Sequence, residues 1–316
     1  MDTTPQARNL HYIFVKSELG AGTYGASLGP DSLRLYALQQ EKDYFERHPA
    51  VTLPLDYEGI TAPVKDPHAW HIEYILTVYQ DLSARVSRTL DRGFFPFLLT
   101  GDHSSAGGVI AGIKDAHPDK RLGVVWIDAH GDLHTPHTSP TGNMHGMPLG
   151  TALGLPLPEG TDVLDRTIRR WEQLINLNGL RPKLRPEDLF FLGIRDLEQP
   201  EWDVISGHDI PYLTVEQVRE KGAAAVVDHV LETLSDCDEI YLSFDTDSLD
   251  DSLVPGTGTP VPNGFTLEEA EGLLTGFWDK APLVGLEFTE VNPMLDAQNR
   301  TVGHIFQLME KLLTNR

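Results

Sequence analysis

Gly123-Val-Val-Trp-Ile127, followed at once by Asp128-Ala-His130-Gly-Asp132, decides the fold of this chain. The apolar run is too short for a helix, and it has the β-branched content of a strand buried on both faces. Polar residues suited to metal or proton chemistry begin where the run stops. The arrangement recurs twice. Phe97-Leu-Leu-Thr100 leads into Gly101-Asp-His103-Ser104, and Ile240-Tyr-Leu-Ser-Phe244 leads into Asp245-Thr-Asp247. In an open α/β sheet, ligands bind beyond the carboxyl ends of the strands, so three such ends can converge on one point.

Eight segments read as strands: 12–15, 51–55, 95–99, 123–127, 189–194, 211–213, 239–244 and 283–288. Helical patterns lie between them. The segment 70–90 sets Ile72, Ile75, Leu76, Tyr79, Leu82, Val86 and Leu90 mostly at three- and four-residue steps. Segments 215–234, 266–277 and 294–313 behave similarly. This alternation predicts a mostly parallel, doubly wound α/β sheet. Segments 131–142 and 250–264 are punctuated by Pro and Gly, and each follows a strand that ends in acidic residues. They read as long loops forming the rim of a site. Residues 155–187 are polar and irregular and read as a surface excursion. No stretch has the composition of a flexible linker, so residues 1–316 read as a single domain.

The chain has 25 basic and 47 acidic residues, a formal charge of −22, which disfavours nucleic acid and anionic membrane as partners. Such a surface suits a small cationic substrate. Cys237 is the only cysteine, which excludes an internal disulfide and reads as a reducing, cytoplasmic setting. The segment 1–9 lacks a basic stretch followed by an apolar core, so it does not read as a signal peptide. No apolar run approaches the ~20 residues that span a bilayer.

His103, Asp128, His130, Asp132, Asp245 and Asp247 are the candidate metal ligands. In Asp-x-His-x-Asp and Asp-x-Asp, alternate residues of an extended backbone project to one side, so one strand end can supply two or three ligands. Carboxylates packed this closely repel one another unless cations sit between them. Imidazole and carboxylate ligation without thiolate suits Mn²⁺, Co²⁺, Ni²⁺ or Zn²⁺. Two ions sharing carboxylates would balance the four Asp charges and would present hydroxide at neutral pH.

With these motifs, the chain resembles the ureohydrolase family, which includes arginases and agmatinases. The resemblance runs from about Gly20 to Asn292 through Gly101-Asp-His-Ser104, Asp128-Ala-His-Gly-Asp132, Ser243-Phe-Asp-Thr-Asp247, Pro255-Gly-Thr-Gly-Thr-Pro260 and Glu290-Val-Asn-Pro293. The segment Thr135-Pro-His-Thr-Ser-Pro-Thr-Gly-Asn-Met-His-Gly-Met-Pro148 and Gly193-Ile-Arg-Asp-Leu-Glu198 are most similar to the arginase branch. The resemblance implies a three-layer α/β sandwich with an eight-stranded parallel sheet, two Mn²⁺ per chain and a homotrimer or homohexamer. It implies that His103, Asp128, Asp132 and Asp245 hold one ion, and that His130, Asp128, Asp245 and Asp247 hold the other. Asp132 and His145 are implied in proton transfer, and Glu290 in facing the guanidinium. His134, Ser139, Thr141, Asn143, Asp196 and Glu198 are implied in gripping the amino-acid end of the substrate.

Three positions depart from the usual arginase pattern. His134 stands where Asn is usual, Thr141 where Ser is common, and Glu198 where Asp usually accepts the α-amino group. The metal ligands are untouched by these changes, which fall on recognition of the amino-acid end. The implied activity is hydrolysis of L-arginine to L-ornithine and urea. The alternatives are hydrolysis of another guanidino compound (agmatine, guanidinobutyrate or guanidine), a non-catalytic subunit of the same fold, and a two-metal phosphoesterase. Complete ligand positions count against the second, and Glu290 with the acidic surface against the third.

Overall fold

The structure, a computed structural model, describes residues 8–314. Residues 1–7, on which most of the signal-peptide reading falls, and residues 315–316 lie outside the described residues. The strands are β1 (Leu10–Val15), β2 (Ala50–Leu53), β3 (Phe95–Thr100), β4 (Leu122–Ile127), β5 (Leu189–Leu192), β6 (Tyr212–Leu213), β7 (Glu239–Asp245) and β8 (Leu283–Thr289). They form one eight-stranded sheet in the order β2-β1-β3-β8-β7-β4-β5-β6. Every neighbouring pair is parallel. Each expected strand is present. β5 stops at Leu192 because Gly193 turns into the left-handed region with φ +94.

The helices are α1 (Gly29–Gln39), α2 (Tyr57–Thr61), α3 (Ile72–Asp91), α4 (Ala106–Ala116), α5 (Pro148–Leu153), α6 (Asp165–Ile175), α7 (Gln199–Gly207), α8 (Val215–Lys221), α9 (Ala223–Thr233), α10 (Leu267–Lys280) and α11 (Arg300–Thr314). Strand side chains alternate between two cores. Tyr12, Phe14, Phe97, Phe190, Phe244 and Phe288 face a core closed by α1 and α8 to α11. Ile13, Val15, Leu98, Trp126, Phe191 and Tyr241 face a core closed by α3, α4, α5 and α7. The near absence of polar residues along β3, β4 and β5 follows from burial on both faces.

Three expectations are corrected by the structure. Residues 155–187 contain α6, whose Trp171, Leu174 and Ile175 pack on Ile72, Ile75 and Tyr79 of α3. Its apolar spacing is diluted by the Arg and Glu residues on its outer face. Lys183, buried behind it, donates to the carbonyls of Leu174 (3.1 Å) and Ile175 (2.8 Å) at the α6 C-terminus. Burial, and after it the charge of Arg181, pushes its ammonium down to about 8. The helix expected over 294–313 begins only at Arg300, because Asp296 Oδ2 accepts from Thr301 N at 2.8 Å and so caps the first turn. The helix expected over 215–234 is broken into α8 and α9 at Gly222, with φ +79.

The order β3-β8-β7-β4 positions the site. It makes neighbours of the four strands whose carboxyl ends carry Gly101-Asp-His103, Glu290, Asp245-Thr-Asp247 and Asp128-Ala-His130.

Candidate active site

All the expected ligand side chains meet at these strand ends. His103 opens the turn after β3, and its ring stacks on Trp126 of β4 with centroids 4.0 Å apart. Its Nδ1 lies 3.1 Å from Asp128 Oδ2, 3.1 Å from Asp132 Oδ2 and 2.9 Å from Asp245 Oδ2. His130 Nδ1 lies 3.1 Å from Asp247 Oδ2 and 3.5 Å from Asp128 Oδ1. Two groups therefore overlap, His103-Asp128-Asp245 and Asp128-His130-Asp247, with Asp128 common to both. The local chain explains their aim. Asp128 and Asp245 each bond the amide two residues on, His130 N and Asp247 N, both at 2.8 Å, which turns the backbone sharply off the strand.

The electrostatics suit a cation at this point. Burial opposes a charged imidazole, yet the carboxylates of Asp128, Asp132 and Asp245 outweigh it and hold His103 well above its ordinary value. Burial, then Asp247 and Asp128, push Asp245 well above the carboxylate range, and burial with Asp128 lifts Asp132 to about 6. His103 Nδ1 and Asp128 Oδ2 are buried and have no hydrogen-bond partner, although they face each other. Nitrogen and oxygen ligands held about 2.0–2.2 Å from one ion lie ~3 Å from each other. The spacings here match that, so this donor set fits a divalent ion of the imidazole and carboxylate class.

Glu290 and His145 adjoin the cluster. Glu290 Oε1 accepts from His103 N at 2.9 Å and pairs with His145 Nδ1 at 3.1 Å. Burial lowers His145, but the Glu290 hydrogen bond and charge prevail and raise it to about 9. Asp132 and Glu290 both adopt left-handed backbone, with φ 52 and 62. This is strain of the kind a fold holds at working residues.

The cavity above the cluster measures about 340 Å³ and is lined by His130, Asp132, His145 and Glu290 at one end. His134, Ser139, Thr141, Asn143, Asp196 and Glu198 line the remainder. Their present partners differ. Ser139 Oγ accepts from Gly142 N and Thr141 Oγ1 from Asn143 N, so both hydroxyls also shape the loop. Gly142 is required there: its φ is +77, and a Cβ would meet Pro67 O at 1.9 Å. His134 Nε2 pairs with Glu198 Oε2 at 3.1 Å, and its Nδ1 bonds Thr138 Oγ1 at 3.2 Å. Asp196 is largely exposed and stands 3.8 Å from His130 Nε2.

The second long loop, over 250–264, is tied down by Arg195, which donates to the carbonyls of Asp247 (2.7 Å) and Val261 (2.8 Å). From it Thr259 Oγ1 donates to Asp247 Oδ2 at 3.0 Å. Sequence reasoning missed three acidic neighbours. Glu201, buried beneath the pocket, accepts from Glu198 N and Leu133 N; burial and Glu198 raise it to about 8. Asp102 fixes Gly20 N and Ser104 N beside His145, and burial with Glu290 lifts it to about 6. Glu287 is buried in mid-strand on β8. Glu201, at the third position after Glu198 in Glu198-Gln-Pro-Glu201, carried a capping signal; Glu287 carried none beyond being an acid inside an apolar run.

Residues 13–314 match the model of the Arginase family. The chain belongs to the arginase family. Among curated relatives it is 33% identical to the arginase of Bacillus subtilis over 97% of this chain and 98% of that one. It is 32% identical to the arginase of Bacillus caldovelox, over 95% and 96% of the two chains. The solved structure of the Bacillus caldovelox arginase superposes with a TM-score of 0.84 at 31% identity, covering 98% of this chain and 99% of that one. The arginase-family fold extends to a formimidoylglutamase from Bacillus subtilis, with a TM-score of 0.71 at 22% identity, a likeness of fold alone. Among the described residues no helix is long and apolar enough to cross a membrane.

Proposed function

We propose that this arginase-family chain hydrolyses the guanidinium group of L-arginine to L-ornithine and urea with two Mn²⁺ ions bound per chain. The observation that carries the reading is the pair of overlapping His and carboxylate groups sharing Asp128, with Glu290 and His145 beside them, at the floor of one pocket. His103, Asp128, Asp132 and Asp245 would hold one ion. His130, Asp128, Asp245 and Asp247 would hold the other. Bound there, the ions would acidify water and so would supply a hydroxide nucleophile at neutral pH.

The chain's own residues do the rest. A guanidinium is cationic and resonance-stabilised, so its carbon must be oriented for attack. The Glu290 carboxylate pairs with it and orients it, which is positioning. The amine leaves only if it is protonated. Asp132, beside the nucleophile, can carry a proton from it to the leaving amine. His145, held protonated near neutrality by Glu290, moves protons between the site and solvent or assists the leaving amine. His134, Ser139, Thr141, Asn143, Asp196 and Glu198 receive the α-carboxylate and α-amine. The 316 residues are taken as one domain of a cytoplasmic homotrimer or homohexamer.

One observation favours a second reading, hydrolysis of a guanidino compound without the amino-acid end. Glu198, the carboxylate assigned to the α-amine, is already engaged by His134 at 3.1 Å. A panel of L-arginine, agmatine, guanidinobutyrate and guanidine, followed by urea release from Mn²⁺-loaded protein, separates the two. L-Arginine should have the highest kcat/KM. A higher value for a substrate lacking the amino-acid end refutes the first reading and leaves the hydrolytic chemistry standing.

A further inference from the structure

We infer that Glu287 is a positioning residue for the metal centre: acting through Ser243, it fixes which nitrogen of His103 carries the proton. Glu287 is 0% exposed, in the middle of β8. Its carboxylate receives hydroxyls from both neighbouring strands. Thr100 of β3 donates to Oε1 at 2.7 Å, and Ser243 of β7 donates to Oε2 at 3.2 Å. Tyr241 of β7 also donates its hydroxyl to Oε2. These partners are all neutral hydroxyls, which is unusual company for a fully buried acid.

The arrangement is explained by counting protons. A carboxylate can only accept, so Thr100, Tyr241 and Ser243 each commit their single hydroxyl proton to Glu287. The Ser243 oxygen also lies 2.8 Å from His103 Nε2. With its proton committed, that oxygen can only accept there, so His103 must donate from Nε2. In a neutral imidazole this leaves the lone pair on Nδ1. Nδ1 is the atom that faces Asp128, Asp132 and Asp245 at 2.9–3.1 Å. A lone pair aimed at carboxylate oxygens is repulsive by itself and becomes attractive when a cation lies between them. Trp126 fixes the plane of the ring, and the Glu287-Ser243 relay fixes its proton. Partners of this kind on the far nitrogen of a ligating histidine typically govern metal affinity by about 10- to 100-fold.

The inference rests on the metal-centre reading and is tested by Mn²⁺ affinity rather than turnover. Mn²⁺ titrations compare wild type, Ser243→Ala, Glu287→Gln and the double variant, with the thermal midpoint of each metal-free chain as the folding control. Each single change should weaken binding by about 10- to 100-fold. Ser243→Ala should do so with little change in the metal-free midpoint. The double variant should bind no more weakly than the weaker single one, because both cut the same relay, and Glu287→Asp should restore part of the affinity. Unchanged affinity in Ser243→Ala, or losses that multiply in the double variant, overturns the relay while the metal centre stands. A wild-type chain that takes up no Mn²⁺ overturns both.

Discussion

The two ends of the same strands treat negative charge in opposite ways. At the amino ends, acids meet basic side chains. Glu239, at the start of β7, pairs with His117 (2.8 Å) and Lys120 (3.0 Å). Asp188, just before β5, takes Arg121 at 2.7 Å. At the carboxyl ends, Asp128, Asp132, Asp245 and Asp247 crowd together, and among the described residues their ion-pair partners are only His103 and His130. Charge paired with lysine or arginine serves stability. Charge left to imidazoles alone makes a socket suited to a cation from outside.

The most severe break of this contrast is Asp128→Ala, which removes the carboxylate common to both groups. Metal content should fall by more than one ion per chain, and kcat/KM should drop by about 10⁴-fold, as expected when metal stabilisation of several kcal/mol is lost. His103→Ala, which removes a ligand of one group only, should cost less; the reverse ranking in elemental analysis and kinetics would refute the shared role. His145→Ala should keep its metal and lose about 10²-fold in turnover, with partial rescue by added imidazole. A loss of bound Mn²⁺ in that variant would place His145 among the ligands. The same variant carries a pH signature in the metal-free chain. His145 is raised from 6.5 to about 9, so its contribution to stability is full below pH 6.5 and is lost as pH rises through 9. The gap between wild type and His145→Ala in denaturant melts should close over that window.

Glu198→Ala should raise KM for L-arginine by about tenfold, the scale of one hydrogen bond to a charged group. It should leave agmatine turnover nearly unchanged, and equal effects on both substrates would remove Glu198 from amine recognition. The smallest effect sharpens the comparison most directly. In metal-free protein, Glu239→Gln should destabilise by about 1–2 kcal/mol, since the acid is buried but its partners are partly solvated. Asp245→Asn should instead stabilise by relieving repulsion. Thermal melts with the same sign for both would mean that the two ends do not differ as described.

The strands and the ligands were legible because each signal is local: a short apolar run, then acids and imidazoles at alternate positions. His103, Asp128 and Asp245 needed no knowledge of the sheet order to be picked out. What was obscure depends on partners distant in sequence. Glu287 reads as a stray acid until β3 and β7 place Thr100, Tyr241 and Ser243 around it. The pairing of His134 with Glu198 spans 64 residues and cannot be seen from either motif. Helix α6 was hidden because its buried side is narrow and its exposed side heavily charged. The break at Gly222 was missed because the apolar spacing continues across it.

The position of β8 has a consequence for how the chain is built. It is the last strand in sequence, yet it lies between β3 and β7 in the middle of the sheet. Until residues 283–289 dock, β3 and β7 each present an unpaired, apolar edge, and Glu290, 187 residues from His103, is absent from the cluster. Such long-range closure is slow and comes late in folding. A chain cut short before β8 therefore carries two adhesive edges and an incomplete side-chain cluster, and its fate is to associate with other chains rather than to fold.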